Sequence, residues 1–144
     1  MKRLVLVLIA LVTLQAHAMA ATAFTDNGCR LLGDNVYECT WTYVDDTAGY
    51  TDYALSIPAQ LIGTQPGAAI HIPGTTTMTE TADITIEWRN VSIFGTSFDN
   101  CGGATPTAAN YSQFAPAAMS TLTLTIANNA VNNATGTVAV YFYK

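Results

Sequence analysis

The stretch STLTLTIA (residues 120–127) places Leu122, Leu124 and Ile126 on one side of an extended chain and Thr121, Thr123 and Thr125 on the other. Successive side chains of a strand point to opposite faces, whereas a helix repeats every 3.6 residues. This pattern therefore buries one clean apolar face only as a strand. ADITIEWR (82–89) repeats it, with Ile84, Ile86 and Trp88 opposed to Asp83, Thr85, Glu87 and Arg89. DYALSIP (52–58) does the same with Tyr53, Leu55 and Ile57. One buried and one wet face is the mark of antiparallel sheets. Further strands are expected at 67–72, 91–94 and 136–143. Pro58, Pro66-Gly67, Pro73-Gly74, Gly95, Gly102-Gly103 and the Asn-rich run 128–133 punctuate them. The reading is an all-β fold: a single antiparallel β-sandwich, jelly-roll or immunoglobulin-like, of seven or eight short strands. Residues 102–119 form its one long irregular connection.

The first twenty residues stand outside this pattern. MKRLVLVLIALVTLQAHAMA has a basic start, an apolar run of about eleven residues and small residues around Ala18 and Ala20, the layout of a cleavable secretory signal. The run is too short to span a bilayer, which takes roughly twenty residues. Residues 21–144 are then one exported domain, secreted or periplasmic, and not an integral membrane protein. Without the signal, three basic residues remain against ten acidic ones, a net charge of −7. Arg30, Arg89 and Lys144 cannot form the basic patch that nucleic acid requires.

The segment CRLLGDNVYEC (29–39) folds back on itself if Gly33-Asp34-Asn35 is a hairpin loop with Asn35 in the left-handed position. Leu32 then faces Val36, Leu31 faces Tyr37, Arg30 pairs with Glu38, and Cys29 faces Cys39. Leu31, Tyr37, Cys29, Cys39, Trp41 and Tyr43 share an apolar face. Cys29 and Cys39 fall on a non-hydrogen-bonded pair with Cα atoms about 4.5 Å apart, which a disulfide accepts. An exported chain oxidises such a pair. Three cysteines allow three pairings, and Cys101 bonding to either of the others is the competing reading. With Cys29 and Cys39 joined, Cys101 in DNCGG is a leftover: an intermolecular or reactive thiol, or a buried inert one. A zinc set of Cys29, Cys39, Cys101 and His71 lacks any Cys-x-x-Cys spacing.

Catalytic constellations are thin. His71, the one histidine beyond the signal, lies between Ile70 and Ile72 in AIHIP, so alternation points it away from the core, to water. A nucleophile needs an oriented base, and nothing marks one here. Acids sit on wet strand faces (Glu38, Asp83, Glu87) or in loops, with no pair set across a cleft. Cys101-Gly102-Gly103 has no lysine or helix start to make a phosphate cradle. The chain reads as a non-enzyme without a cofactor. For binding, Asp45, Asp46 and Asp52 gather carboxylates that could ligate calcium, though an ordinary acidic turn has the same composition. Tyr50 and Tyr111 are the candidate exposed rings for a sugar or surface ligand; Trp41 and Trp88 belong to core faces. Asn-x-Ser/Thr sequons at Asn90, Asn110 and Asn133 matter only in a glycosylating host.

ADITIEWRNVSIFGT, and after a loop STLTLTIANNAVNNATGTVAVYFYK, resemble a pattern of small β-sandwich structural proteins of tailed bacteriophages and related bacterial proteins. The resemblance covers Asp83–Phe94 and Leu122–Phe142. It implies a non-catalytic structural component, associated with a virion or cell surface or assembled with itself, and carries no site residues. Virion components assemble in the cytoplasm, so the export signal departs from that pattern. Two functions stand after this reading: a structural subunit, whose terminal strand TVAVYFYK completes its own sheet or a neighbour's, and a monomeric carbohydrate- or surface-ligand-binding module.

Overall fold

The computed structural model describes residues 23–46, 50–89, 91–94, 98, 101–110 and 121–144, with only the backbone of residues 50 and 110. The expected signal, residues 1–20, and Tyr111 lie outside them. The described residues form nine strands: β1 Ala23–Gly33, β2 Val36–Asp45, β3 Tyr50–Ser56, β4 Gln65–Pro73, β5 Asp83–Trp88, β6 Val91–Ser92, β7 Thr107–Asn110, β8 Thr121–Ala127 and β9 Ala134–Tyr143. They form two antiparallel sheets, one ordered β1-β2-β9-β4-β7 and the other β3-β8-β5-β6.

Setting β1 aside, the remaining eight strands follow one rule. The first pairs with the last, the third lies between the eighth and the sixth, and in the other sheet the fourth lies between the seventh and the fifth. That is the wiring of a jelly roll, two Greek keys folded into two sheets. Immunoglobulin-type wiring does not pair first with last in this way. β1 is an addition to the jelly roll, laid along the outer edge of β2.

The period-two faces account for the core. Leu122, Leu124 and Ile126 of β8 and Ile84 and Ile86 of β5 meet Trp41 and Tyr43 of β2 and Val138, Val140 and Phe142 of β9 in one buried cluster. The threonines of β8 and Thr85 of β5 share the opposite face, where Thr125 sits between Asp52 and Thr85 in register. Trp88 is half-buried rather than fully in the core, and the Arg89 guanidinium covers its ring at 4.6 Å.

Two expectations about elements are corrected. Residues 102–119 are not wholly irregular, since Thr107–Asn110 pairs with β4. Of the two fates open to the carboxyl-terminal strand, it completes its own sheet: β9 lies between β2 and β4, bonded to both. The hairpin register is as expected from Cys29↔Cys39 to Leu31↔Tyr37, but Gly33 then pairs with Val36 across a register shift. This leaves Asp34-Asn35 as the tip, with Asn35 left-handed at φ 64°.

Candidate functional site

β1 is an unusual edge strand. Nine of its eleven residues are exposed, and only Phe24 and Cys29 are half-buried. What holds it is its ladder to β2, the stacking of Phe24 on Tyr53 at 4.9 Å, and cross-strand bonds. The Arg30 Nε donates to Glu38 Oε2 at 2.6 Å, and the Tyr141 hydroxyl donates to Glu38 Oε1 at 2.9 Å. Glu38, expected on a wet face, is thereby covered and buried. A disulfide joins Cys29 to Cys39 with Cα atoms 4.0 Å apart. Midway, the register shifts between Asp26 and Cys29, where Gly28 takes φ 82° and donates its N–H to Asp26 Oδ1. The Asn-Gly pair at 27–28 was the sequence signal for this bulge.

Beside the hairpin tip the chain exposes apolar side chains. Leu31 is 60% exposed, Leu32 49% and Tyr143 50%. Leu31 was expected on the apolar face; it shares that face with Tyr37 and Phe142 in register, but lies on the outermost strand, where little covers it.

The second cluster lies inside the sandwich. His71, expected to face water, is 1% exposed. Its row in the sheet explains this: His71 pairs with Val138, which pairs with Trp41, and all three point inward. Ile72 is left on the outer face. The imidazole finds a partner there, since Tyr43 Oη lies 2.7 Å from His71 Nε2 with the two rings stacked. Gly136 provides the room: a Cβ on it would come within 2.9 Å of His71 Nε2 and closer still to the Tyr43 hydroxyl. The same hydroxyl lies 3.6 Å from Met78 Sδ, and His71 Nδ1 and Trp41 Nε1 are buried without a hydrogen-bond partner among the described residues. Burial holds the His71 pKa down at about 4 and pushes that of Tyr43 far above the ordinary tyrosine range. Near neutral pH the pair is a neutral imidazole and a protonated phenol.

Asp45, expected in an acidic turn, is buried at the end of β2. Asn129 Nδ2 donates to its Oδ2 at 2.7 Å, and the Tyr53 hydroxyl reaches its Oδ1 at 3.4 Å and the Val44 carbonyl at 3.2 Å. Burial, then the charge of Asp45, raises the pKa of Tyr53. These bonds tie β2 to β3 of the other sheet and to the turn before β9. Asn129, in an Asn-rich run that reads only as a turn, was not foreseen; nothing in the sequence separates it from its neighbours. Asp52 faces the other way and accepts from Thr125 Oγ1 at 2.6 Å. The structure thus does not gather Asp45 with Asp52, and no group of three His, Cys, Asp or Glu side chains among the described residues is placed to hold a metal ion. Tyr50 belongs to β3 by its backbone. Cys101 is buried, its Sγ 3.4 Å from the Ala82 carbonyl, so an intermolecular bond through it requires the fold to open.

Fold and site together define a class: an antiparallel jelly roll carrying an extra, disulfide-stapled strand on one edge and a polar clamp between its sheets. No helix among the described residues is long and apolar enough to cross a membrane. No family model, curated protein or solved structure matches the chain.

Proposed function

We propose that this protein is an exported, non-catalytic structural subunit that assembles with itself or on a surface. The observation that carries this reading is β1: an eleven-residue strand whose side chains the monomer leaves almost entirely exposed, beside the apolar Leu31, Leu32 and Tyr143. Only Phe24 and Cys29 of β1 pack against the core, so the rest of its surface is available to another molecule. Export is supported by the Cys29–Cys39 disulfide, which persists in an oxidising compartment. The polar groups with most chemical potential are already engaged: Tyr43 and His71 bond to each other on the inner face of one sheet, and Asp45 bonds to Asn129 and to Tyr53 of the other sheet. A virion or cell-surface setting is supported by the resemblance of Asp83–Phe94 and Leu122–Phe142 to phage structural proteins. Jelly-roll wiring, frequent in capsid subunits, also supports it, as an analogy of fold alone.

Light scattering on the purified protein as it leaves a sizing column tests the reading. The expected outcome is a defined oligomer or filament. A monomer at all concentrations would contradict it and favour a ligand-binding module.

A further inference from the structure

The proposed subunit needs a contact, and the β1–β2 hairpin holds the elements of one. Simple edge-to-edge pairing of two β1 strands is opposed by the bulge at Asn27-Gly28, which breaks the regular row of backbone groups that a second strand would need. Exchange of β1 meets no such obstacle, because a partner's β1 carries the same bulge in the same register as the strand it replaces. Three further features favour exchange. The connection is only Asp34-Asn35, with Asn35 held left-handed at φ 64°, and short strained hinges invite swapping. β1 buries little of its own side-chain surface, so removing it leaves the jelly roll intact. The exposed Leu31, Leu32 and Tyr143 all flank that hinge, Tyr143 through its pairing with Val36.

Resting on the structural-subunit reading, we propose that the hairpin opens at Asp34-Asn35 and that two copies exchange β1, each laying Ala23–Gly33 along the partner's β2 and bonding Cys29 to the partner's Cys39. Opening turns residues 23–45 into one continuous strand. Two such strands run antiparallel about a two-fold axis at the hinge. The ladder, the Arg30–Glu38 pair and the Phe24–Tyr53 stack are all remade between copies, and the rearrangement is confined to the hinge, where the Asn35 carbonyl accepts from the Lys144 N–H at 3.0 Å. Asn35 relaxes to extended backbone. The relaxed hinge opposes the lost freedom of two molecules becoming one.

The disulfides exchange without net oxidation. A small thiol such as glutathione attacks the Cys29–Cys39 bond as its thiolate, forming a mixed disulfide and releasing the other cysteine as a thiolate. That thiolate then attacks the mixed disulfide of the second copy, joins Cys29 to the partner's Cys39 and expels the small thiol. Two intrachain disulfides are consumed, two interchain disulfides form, and the small thiol is recovered.

The test incubates the concentrated protein with reduced and oxidised glutathione, blocks thiols by alkylation, and reads mass by light scattering and by gel without reductant. The expected product is a dimer that is covalent without reductant, collapses to monomer chains with it on the gel, and forms equally in Cys101→Ser. Three glycines inserted between Asp34 and Asn35 relieve the hinge and should lower the dimer fraction at least tenfold. Mixing Cys29→Ser with Cys39→Ser, each also carrying Cys101→Ser, should give a covalent dimer that neither gives alone. The insertion variant keeps both cysteines and so keeps the test decisive if the serine variants fail to fold. A dimer lost in Cys101→Ser, or undiminished by the insertion, overturns the exchange. An oligomer without interchain disulfides also overturns it but leaves the structural reading standing. A monomer throughout overturns both.

Discussion

Gly136 and His71 show how much one residue decides in this core. The hydrogen-bonded Tyr43–His71 pair exists because Gly136 has no side chain beneath it. Gly136→Ala should cost about 3 kcal/mol, from overpacking and from a buried polar pair forced apart. Urea unfolding measures the loss; a change under about 0.5 kcal/mol would show that the pair does not depend on the glycine. His71 also gives stability a pH dependence. Its pKa is about 4 folded against 6.5 in an open chain, so between those values the unfolded state binds the extra proton. Stability from this source is fully present above about pH 6.5 and falls as pH drops toward 4, by about 3 kcal/mol in total. His71→Gln should flatten the urea midpoint between pH 7 and 5, a range above most carboxylate titration; an unchanged slope would assign the effect elsewhere.

Among elements, the β1–β2 hairpin is the one that a covalent bond staples. Closing a loop of 10 residues in sequence separation stabilises by about 2–3 kcal/mol in the chain-entropy picture. Replacing Cys29 and Cys39 together by serine should remove that much from the thermal or urea stability. It should also speed amide hydrogen exchange across Ala23–Gly33 more than across β9, because β1 has little burial to hold it. Uniform acceleration across both strands would mean that β1 is an integral part of the cooperative fold. The hairpin was legible in sequence because its determinants are local: a turn residue that tolerates positive φ, an opposite-charge pair, and two cysteines that face each other across the strands. β8 was legible too, because its alternation is uninterrupted; the bulge in β1, signalled by Asn27-Gly28, was not foreseen. The place of β9 was not legible. An apolar carboxyl-terminal strand reads the same whether it lies at an edge or, as here, between β2 and β4.

At the scale of the whole molecule, the two sheets are joined by the apolar core and by the clamp of Tyr43, Tyr53, Asp45 and Asn129. They should unfold as one unit. Leu124→Ala, in the middle of β8, should cost about 2–5 kcal/mol. The same shift should be read by Trp41 of the opposite sheet, in a Trp88→Phe background, and by far-ultraviolet circular dichroism. Two separated transitions would show that the layers melt independently.

From the residues alone came the class of fold, the stapled hairpin and the apolar core faces, because period-two alternation and turn chemistry act between near neighbours. Jelly-roll wiring, the inward turn of His71, the burial of Asp45 and the placement of Cys101 inside the sandwich were decided only in three dimensions. Each depends on which distant strand lies alongside: Val138 beside His71, Asn129 against Asp45, Ala82 against Cys101. A polar side chain goes inside where a partner 28 or 84 residues away in sequence satisfies it, and local pattern carries no trace of that partner.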